Sequence, residues 1–398
     1  MYNVAIRADG GQVVGMGHIM RCLAIAEELK SLGCRVYFIG RYLQGLKKIK
    51  DVGYEAFEIL LPQSEIKYTQ EVKSVNTHNF ADTGFSYGSV EELGDDIFET
   101  RTIVEQQGCN LLLVDKYNLT SEYFDRLRGF VEKVAFTDDL NLFTCSANII
   151  INGNINANLL RYKECFSNQK LLLGTKFTPL RREFSNIPKR ETRSFIKWNM
   201  ARNINQKEMK DFDNNKKNKD ESRLPEIMIT TGGSDPYNCT GKLLEILLED
   251  KETANIRYNV ILGSGFVRKD EIQRMADKNS NIVLYIDPKC MTEIICRSDL
   301  AISSGGSTLY ELCCCGTPTM AFIMADNQKG IVDMLSDDGY IQSLGWYNEI
   351  ENQDIPQQVY KLIMSFEKRM DYSQKMQSLI DGRGANRIAK EIIDIITI

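Results

Sequence analysis

Short, largely apolar runs alternate along this chain with longer stretches in which apolar residues recur every three or four positions. Residues 4–8, 35–39, 111–115, 133–137 and 147–151 are runs of the first kind. They are bounded by glycine or polar residues, as strands buried on both faces of a parallel sheet are. Residues 19–32 and 90–107 show helical spacing, and Gly108 closes the second stretch. The alternation restarts with strands at 226–230, 257–262, 282–286, 300–303 and 318–323. Helices are predicted over 238–248 and 309–315. The tail, 372–398, is largely helical with a break at Gly382-Arg383-Gly384.

Two such βα arrays predict an α/β fold of two Rossmann-like domains facing across a cleft. The expected divisions are an N-terminal domain 1–188, a charged linker or insertion 189–225, a C-terminal domain 226–375 and a helical tail 376–398 whose helix is free to return to the N-terminal domain. The linker is expected from its composition. Residues 199–222 are rich in Lys, Asn, Asp and Glu, including Asn214-Asn215-Lys216-Lys217-Asn218-Lys219-Asp220-Glu221, and have little core of their own. Residues 63–87 are polar and weakly periodic and read as a long loop, with His78 a solvated residue in it.

Composition narrows the function classes. A chain of 398 residues is long for one core, and 43% hydrophobic with 26% charged residues is an ordinary globular balance. A net charge of −5 gives no overall basic field for nucleic acid. No run approaches the ~18 apolar residues of a membrane span, and a strand begins too early for a signal peptide. The expectation is a cytoplasmic protein without stable membrane association. The 11 cysteines include no Cys-x-x-Cys pair, and with only 2 histidines no zinc framework can be assembled. The cysteines read as reduced, mostly buried hydrophobes, and neither a metal nor a cofactor is expected.

His18 carries the most information. It stands in Gly15-Met16-Gly17-His18, between the first strand and the first helix. This places an imidazole at the carboxyl edge of the sheet, where open α/β folds bind ligands. The helix dipole favours the neutral ring there, which makes His18 a candidate general base. The alternative is a helix-start residue that bonds its own loop. The loop from Asp9 to Gly17 has enough glycine to fold against a ligand, and Tyr117 is a second polar group at the same edge. Asp9, Gly15, Gly17, Arg21 and Gln328 are candidates for holding substrate, and Asn327 and Gln328 follow a strand of the second array.

The second array contributes two glycine turns, Thr231-Gly232-Gly233-Ser234 and Ser303-Ser304-Gly305-Gly306-Ser307-Thr308. Each leads from a strand into a helix, where exposed N–H groups favour phosphate oxygens. Neither is a P-loop or a dinucleotide fingerprint, and each could be no more than a tight turn. Glu311 lies one helical turn beyond Ser307. A carboxylate there suits ribose hydroxyls, or alternatively is a surface charge that complements the helix dipole.

At these residues the chain resembles the UDP-sugar hydrolases of pseudaminic acid biosynthesis and the related spore-coat polysaccharide proteins. The matched blocks are Ile6-Arg7-Ala8-Asp9-Gly10-Gly11, Gly15-Met16-Gly17-His18, Arg21-Cys22-Leu23-Ala24, Val114-Asp115-Lys116-Tyr117, Thr137-Asp138-Asp139, Leu173-Gly174, Leu180-Arg181-Arg182-Glu183-Phe184, Gly232-Gly233-Ser234-Asp235, the 303–308 turn, Glu311 and Asn327-Gln328. That family is similar to the glycosyltransferase that transfers N-acetylglucosamine to lipid-linked muropeptide, and shares its glycosyltransferase-B fold. The resemblance implies inverting, metal-free hydrolysis of a UDP-linked diacetamido-trideoxy sugar at the anomeric C–O bond. It implies that His18 activates water while Tyr117 and Asn327 assist at the sugar. Gly232, Gly233, Ser234, Ser304, Gly305, Gly306, Ser307 and Thr308 would bind the diphosphate, Glu311 the ribose and the backbone at Ile286 the uracil. The chain departs from the pattern at Lys116, where many members carry His, and in the length of 63–87 and 189–223.

Three rivals follow from the same residues. A UDP-sugar glycosyltransferase would share the nucleotide half, but should show an apolar or basic patch near the first domain's loops if its acceptor is membrane-bound. A 2-epimerase would need more acid–base side chains. A non-catalytic nucleotide-sugar binding protein would release no UDP.

Overall fold

In a computed structural model, residues 1–11, 14–59, 90–117, 119–195 and 223–397 are described. His78, the whole of 63–87 and the charged stretch 199–222 lie outside them. The chain divides into two units, one of Met1–Arg182, Ala325–Ile331 and Gly382–Ile398, the other of Glu183–Met324 and Val332–Asp381.

The first unit contains, in order, β1 (Asn3–Ala8), α1 (Gly17–Ser31), β2 (Arg35–Gly40), α2 (Leu43–Asp51), β3 (Glu55–Glu58), α3 (Val90–Gln106), β4 (Leu111–Asp115), α4 (Ser121–Leu127), β5 (Lys133–Thr137), β6 (Ile149–Asn152) and β7 (Lys170–Leu173). Its sheet runs β3-β2-β1-β4-β5-β6-β7, with every pairing parallel. The strands are apolar on both faces because helices cover both. Val4, Ile6, Leu111 and Leu113 join one core with α1. Ala5, Leu112 and Val114 join the other with α3 and α4. Successive residues of one strand thus point into different cores.

The second unit contains β8 (Glu226–Thr230), α5 (Cys239–Glu249), β9 (Arg257–Leu262), α6 (Lys269–Lys278), β10 (Ile282–Ile286), α7 (Thr292–Arg297), β11 (Leu300–Ser304), α8 (Thr308–Cys315), β12 (Thr319–Ile323), α9 (Asp326–Asp337), β13 (Gln342–Trp346), α10 (Ile355–Met364) and α11 (Phe366–Leu379). Only the later part of α9 is counted in this unit, its first turns belonging to the other. The sheet order β10-β9-β8-β11-β12-β13 is again parallel throughout. In both sheets the order reverses beside the first strand, between β1 and β4 and between β8 and β11. This is the switch point at which doubly wound sheets open a crevice.

The last helix, α12 (Gly384–Thr397), belongs to the first unit. Its apolar stripe, Ala385, Ile388, Ala389, Ile392 and Ile395, joins the α1 core. Asn386 donates to Glu28 at 2.6 Å and Lys170 pairs with Glu391 at 2.6 Å. Gly384 is required at its start, because a Cβ there would lie 2.1 Å from the Thr178 carbonyl oxygen.

Two expected boundaries differ from these divisions, and one of them is the tail, which joins the first unit from Gly382 rather than 376. The units separate at Arg182 rather than 188, and residues 183–195 are woven into the second unit. Arg190 donates to Thr317 Oγ1 at 2.9 Å and to the Ser298 carbonyl. Arg193 pairs with Asp299, and the buried Arg369 donates to the Arg193 carbonyl at 2.8 Å. The opening of the expected linker is therefore structural, because its arginines satisfy buried carbonyls and a carboxylate. Among the described residues, no helix is long and apolar enough to cross a membrane.

Candidate active site

β1 ends at Ala8, directly opposite Asp115 at the end of β4. The loop after β1 is closed by the Gly11 amide on the Gly15 carbonyl at 3.0 Å. Gly15 has φ +74°, a left-handed conformation that favours glycine. This loop delivers His18 as the second residue of α1, at the switch point of the first sheet.

His18 is buried, and its Nδ1 lies 2.7 Å from Asp115 Oδ1. An ionised carboxylate only accepts, so in the neutral ring Nδ1 carries the proton and Nε2 the lone pair. Arg21 Nη2 lies 3.1 Å from Nδ1 and donates to Asp115 Oδ1 at 2.6 Å; a protonated Nδ1 cannot accept from it. Nε2 makes no hydrogen bond to the described residues. Asp115 also accepts from Arg21 Nε at 2.6 Å and Cys22 Sγ at 3.2 Å. Burial pushes the Asp115 carboxyl up, but the Arg21 charge, then His18 and their hydrogen bonds, outweigh it and hold it well below the usual range.

Arg21 bridges two carboxylates. Its Nη1 reaches Asp139 Oδ1 and Oδ2 at 2.9 and 2.8 Å. Asp139 also accepts from the Tyr117 hydroxyl at 2.8 Å and from Asn154 Nδ2 at 2.9 Å. Burial raises the Asp139 carboxyl, yet Arg21 brings it below its ordinary value. The Tyr117 hydroxyl in turn accepts from Asn327 Nδ2 at 3.3 Å. Burial and then Asp139 push that hydroxyl well above the ordinary tyrosine range. The Tyr117 ring meets the His18 ring edge-on, with centroids 4.6 Å apart at 83°.

His18, Arg21, Tyr117 and Asn327 are therefore brought together, with Gln328 next to Asn327 in the first turn of α9. Two candidates for holding substrate are otherwise engaged. The Arg21 guanidinium is taken up by Asp115 and Asp139. The Asp9 carboxylate accepts from the fully buried Arg7 at 2.7 and 2.9 Å and from the Arg41 amide at 2.9 Å. Both are held internally because a buried charge needs its counter-charge. Lys116 donates to the buried Asp96 at 2.8 Å, beside Arg7 and Tyr123. In the sequence Asp115 and Asp139 stand only within the blocks that carry the resemblance, and nothing there pairs them with His18.

In the second unit the two glycine turns also flank the switch point, after β8 and β11. They are not equivalent. Gly232 takes φ +83° and its amide bonds Thr230 Oγ1 at 3.1 Å. The loop after β9 packs on this turn so closely that a Cβ on Gly263 would meet the Gly232 oxygen at 2.4 Å. The Cys239 and Thr240 amides at the start of α5 are filled by the Asp235 carboxylate at 2.9 and 2.8 Å. The start of α8 differs, since Ser307 caps it without a side-chain hydrogen bond. A Cβ on Gly306 would meet nothing within 4 Å. Ser304 is buried, with its Oγ 3.9 Å from the Cβ position of Gly232. The Gly305 amide is engaged by the Phe322 carbonyl at 2.9 Å, leaving Gly306, Ser307 and Thr308 to present theirs. Thr231 Oγ1, not foreseen from sequence, is buried with no hydrogen-bond partner among the described residues. Glu311 lies in the first turn of α8. Ile286 ends the edge strand β10 and is 53% exposed.

No family model matches the chain. It is similar over 338 residues, at 25% identity, to the uncharacterized protein MJ1062 of Methanocaldococcus jannaschii, covering 83% of this chain and 57% of that protein. It is 22% identical over 169 residues to the spore coat polysaccharide biosynthesis protein SpsG of Bacillus subtilis, covering 42% of this chain and 50% of SpsG. The chain thus spans only about half of the length of these two relatives. It is 21% identical to the UDP-2,4-diacetamido-2,4,6-trideoxy-beta-L-altropyranose hydrolase of Campylobacter jejuni, over 85% of this chain and 97% of that one. Among solved structures it resembles MurG of Acinetobacter baumannii, with TM-score 0.62 at 12% identity over 99% and 100% of the two chains. It also resembles the UDP-GlcNAc 2-epimerase of Neisseria meningitidis bound to UDP-GlcNAc, with TM-score 0.56 at 11% identity over 99% and 100%. The fold is the paired Rossmann-like α/β architecture of glycosyltransferase-B enzymes and these epimerases.

Proposed function

We propose that this chain hydrolyses a UDP-linked diacetamido-trideoxy sugar at its anomeric C–O bond. The observation that carries the reading is the buried His18–Asp115 pair, which leaves Nε2 as a bare base at the sheet's switch point. Nε2 takes a proton from water as the water oxygen attacks the anomeric carbon. The bond from that carbon to the β-phosphate oxygen breaks, UDP leaves with the electron pair, and the configuration inverts. Asp115 stabilises the imidazolium so formed. A positioned base of this kind is worth about 10²–10⁴ in rate.

Tyr117 supports the base, its ring packed edge-on against the imidazole and its hydroxyl held between Asp139 and Asn327. Asp139 and Arg21 are positioning residues, since they act through Asp115 and Tyr117. UDP is assigned to the second unit, with the amides of Gly306, Ser307 and Thr308 and the Thr231 hydroxyl on the diphosphate. Glu311 is assigned to the ribose. Fixed donors aimed at a developing diphosphate charge stabilise the leaving group. The similarity to the Campylobacter hydrolase over nearly its whole length supports the choice of sugar.

The test is incubation with UDP-2,4-diacetamido-2,4,6-trideoxy-β-L-altropyranose in ¹⁸O-water. The expected result is one label in the free sugar and none in UDP. Label in the phosphate, epimerised UDP-sugar, or UDP released only with an added acceptor would each reject hydrolysis at the anomeric carbon. Binding without UDP release would reject catalysis on this substrate.

A further inference from the structure

The loop after β6 carries two asparagines, Asn154 and Asn156, at the carboxyl edge of the first sheet. The first is engaged within the site. Its Nδ2 donates at 2.9 Å to Asp139, the carboxylate that also holds Tyr117 and Arg21. The second has no such employment. Asn156 precedes a short 3₁₀ turn, Ala157–Leu160, at the position where an asparagine side chain commonly accepts from the backbone of the turn that follows, yet it makes no capping bond. Its side chain instead reaches α9. The Asn156 Nδ2 lies 2.8 Å from where a Cβ on Gly330 would stand, so Gly330 makes room for the amide. Gly330 is three residues beyond Asn327 and lies on the same side of that helix. Asn327 is the residue that donates to the Tyr117 hydroxyl. Asn156, Tyr117, Asn327 and Gly330 all belong to the first unit. Asn156 Oδ1 is buried and has no hydrogen-bond partner among the described residues. Buried acceptors in folded proteins are nearly always satisfied, so an unmet one calls for an explanation. A donor on a ligand supplies it. The residue as a whole is only half-buried, and the terminal torsion of asparagine is broad, which lets the amide turn to meet that donor.

We propose that Asn156 is a specificity residue whose side-chain oxygen accepts a hydrogen bond from an acetamido N–H of the bound sugar. The proposal rests on the reading of the substrate as a UDP-linked diacetamido sugar. Each acetamido group of such a sugar presents one N–H beside a ring carbon. A neutral amide oxygen meets that donor without bringing a further charge into a site that already holds Asp115 and Asp139. A sugar without the N–H leaves Oδ1 unmet, and a site built on hydrogen bonds rejects an analogue in this way. Asn154 is the positioning residue of the same loop, because its bond to Asp139 fixes where the loop stands relative to Tyr117.

The test compares three ligands, the UDP-2,4-diacetamido sugar and two analogues in which the acetamido group at one or the other ring position is replaced by acetoxy. The ester keeps the carbonyl and the methyl group and removes only the N–H. Affinities are measured by calorimetry on the full-length His18→Gln chain, so that no ligand is turned over. The expected result is that one of the two esters binds about tenfold more weakly than the diacetamido sugar. Adding Asn156→Ala should weaken the diacetamido sugar until it binds within about twofold of that ester, with the affinity for UDP unchanged. Equal affinity for all three ligands while Asn156 is present, a preference that survives Asn156→Ala, or no binding of any of the three would overturn the proposal. If Asn156→Ala fails to fold, Gly330→Ala decides in its place, because its methyl group displaces the amide while alanine favours the helix. UDP release by the wild type is scored separately, so a failure of the hydrolytic reading is distinguished from a failure of this recognition.

Discussion

Asp115→Asn is the most informative single change. Asp115 is fully buried and accepts four hydrogen bonds, from His18 Nδ1, Arg21 Nε, Arg21 Nη2 and Cys22 Sγ. Asparagine keeps the shape but replaces one acceptor oxygen with a donor. With its NH₂ toward His18, it donates to Nδ1 and drives the ring proton onto Nε2, which destroys the base. With its NH₂ toward Cys22, His18 keeps its tautomer, but the negative charge that stabilises the imidazolium is gone. Either way the general-base contribution falls, and kcat should drop about 10²–10⁴-fold, equivalent to about 3–5 kcal/mol. KM should stay within about twofold, because a fully buried Asp115 does not touch substrate. Losing one partner of a buried pair costs about 3–5 kcal/mol at most, and Arg21 retains both of its bonds to Asp139. The variant should therefore fold, with a lowered Tm. The assay is UDP release at saturating UDP-sugar, with circular dichroism as the control for folding. A folded variant with kcat within threefold of wild type would refute the role of the His18–Asp115 pair.

Tyr117→Phe should lower kcat by less than about tenfold and stability by about 1 kcal/mol, because the hydroxyl is engaged with Asp139 and Asn327 while the ring stays against His18. A thousandfold loss in a folded variant would show that the hydroxyl acts on substrate. Gly306→Ala should leave stability within about 0.5 kcal/mol, as its Cβ meets nothing. It should nevertheless weaken UDP binding at least about tenfold by calorimetry if the diphosphate occupies the open space that the methyl group enters. Unchanged affinity would remove the diphosphate from that turn. Asp9, Asp96, Asp115 and Asp139 all have carboxyls held below their ordinary values, burial being outweighed by Arg7 or Arg21. The folded values lie below the unfolded ones. The stability they supply is therefore fully present above about pH 4 and is lost as the pH falls through the folded values. Tm measured against pH should fall on acidification below about pH 4, and a Tm unchanged down to about pH 3 would contradict this linkage.

The central strands were legible in the sequence because a parallel strand covered on both faces must be apolar throughout, as Leu111–Val114 and Ile227–Ile229 are. The strands that escaped notice are β3, β7 and β13. Each lies at the edge of its sheet, where Glu55, Glu58 and Gln342 can face water, and each is too short to show a period. The amphipathic stripe of α12 was visible, but nothing local says which core it joins. That choice is made by Thr178, which leaves room only for a glycine at 384, and by Glu28 and Lys170.

The site divides in the same way. His18 stood out by its rarity and its place between a strand and a helix. Its partner Asp115 lies 97 residues away and becomes a neighbour only because β1 and β4 are adjacent at the switch point. Arg21 and Asp9 read as ligand-facing because they sit beside His18 and the loop. Once folded, each serves a buried carboxylate or guanidinium that the sequence pattern does not reveal. The two glycine turns of the second unit look alike as text, yet Asp235 fills one helix start and leaves the other open.

The most direct measurement uses the fact that the chain has only 2 histidines. Nitrogen-15 labelling of histidine, with His78→Gln to assign the signals, reports which His18 nitrogen carries the proton when the ring is neutral. Protonated Nδ1 with a bare Nε2 is the predicted result. A proton on Nε2 would contradict the Asp115-oriented base and the hydrolytic mechanism built on it.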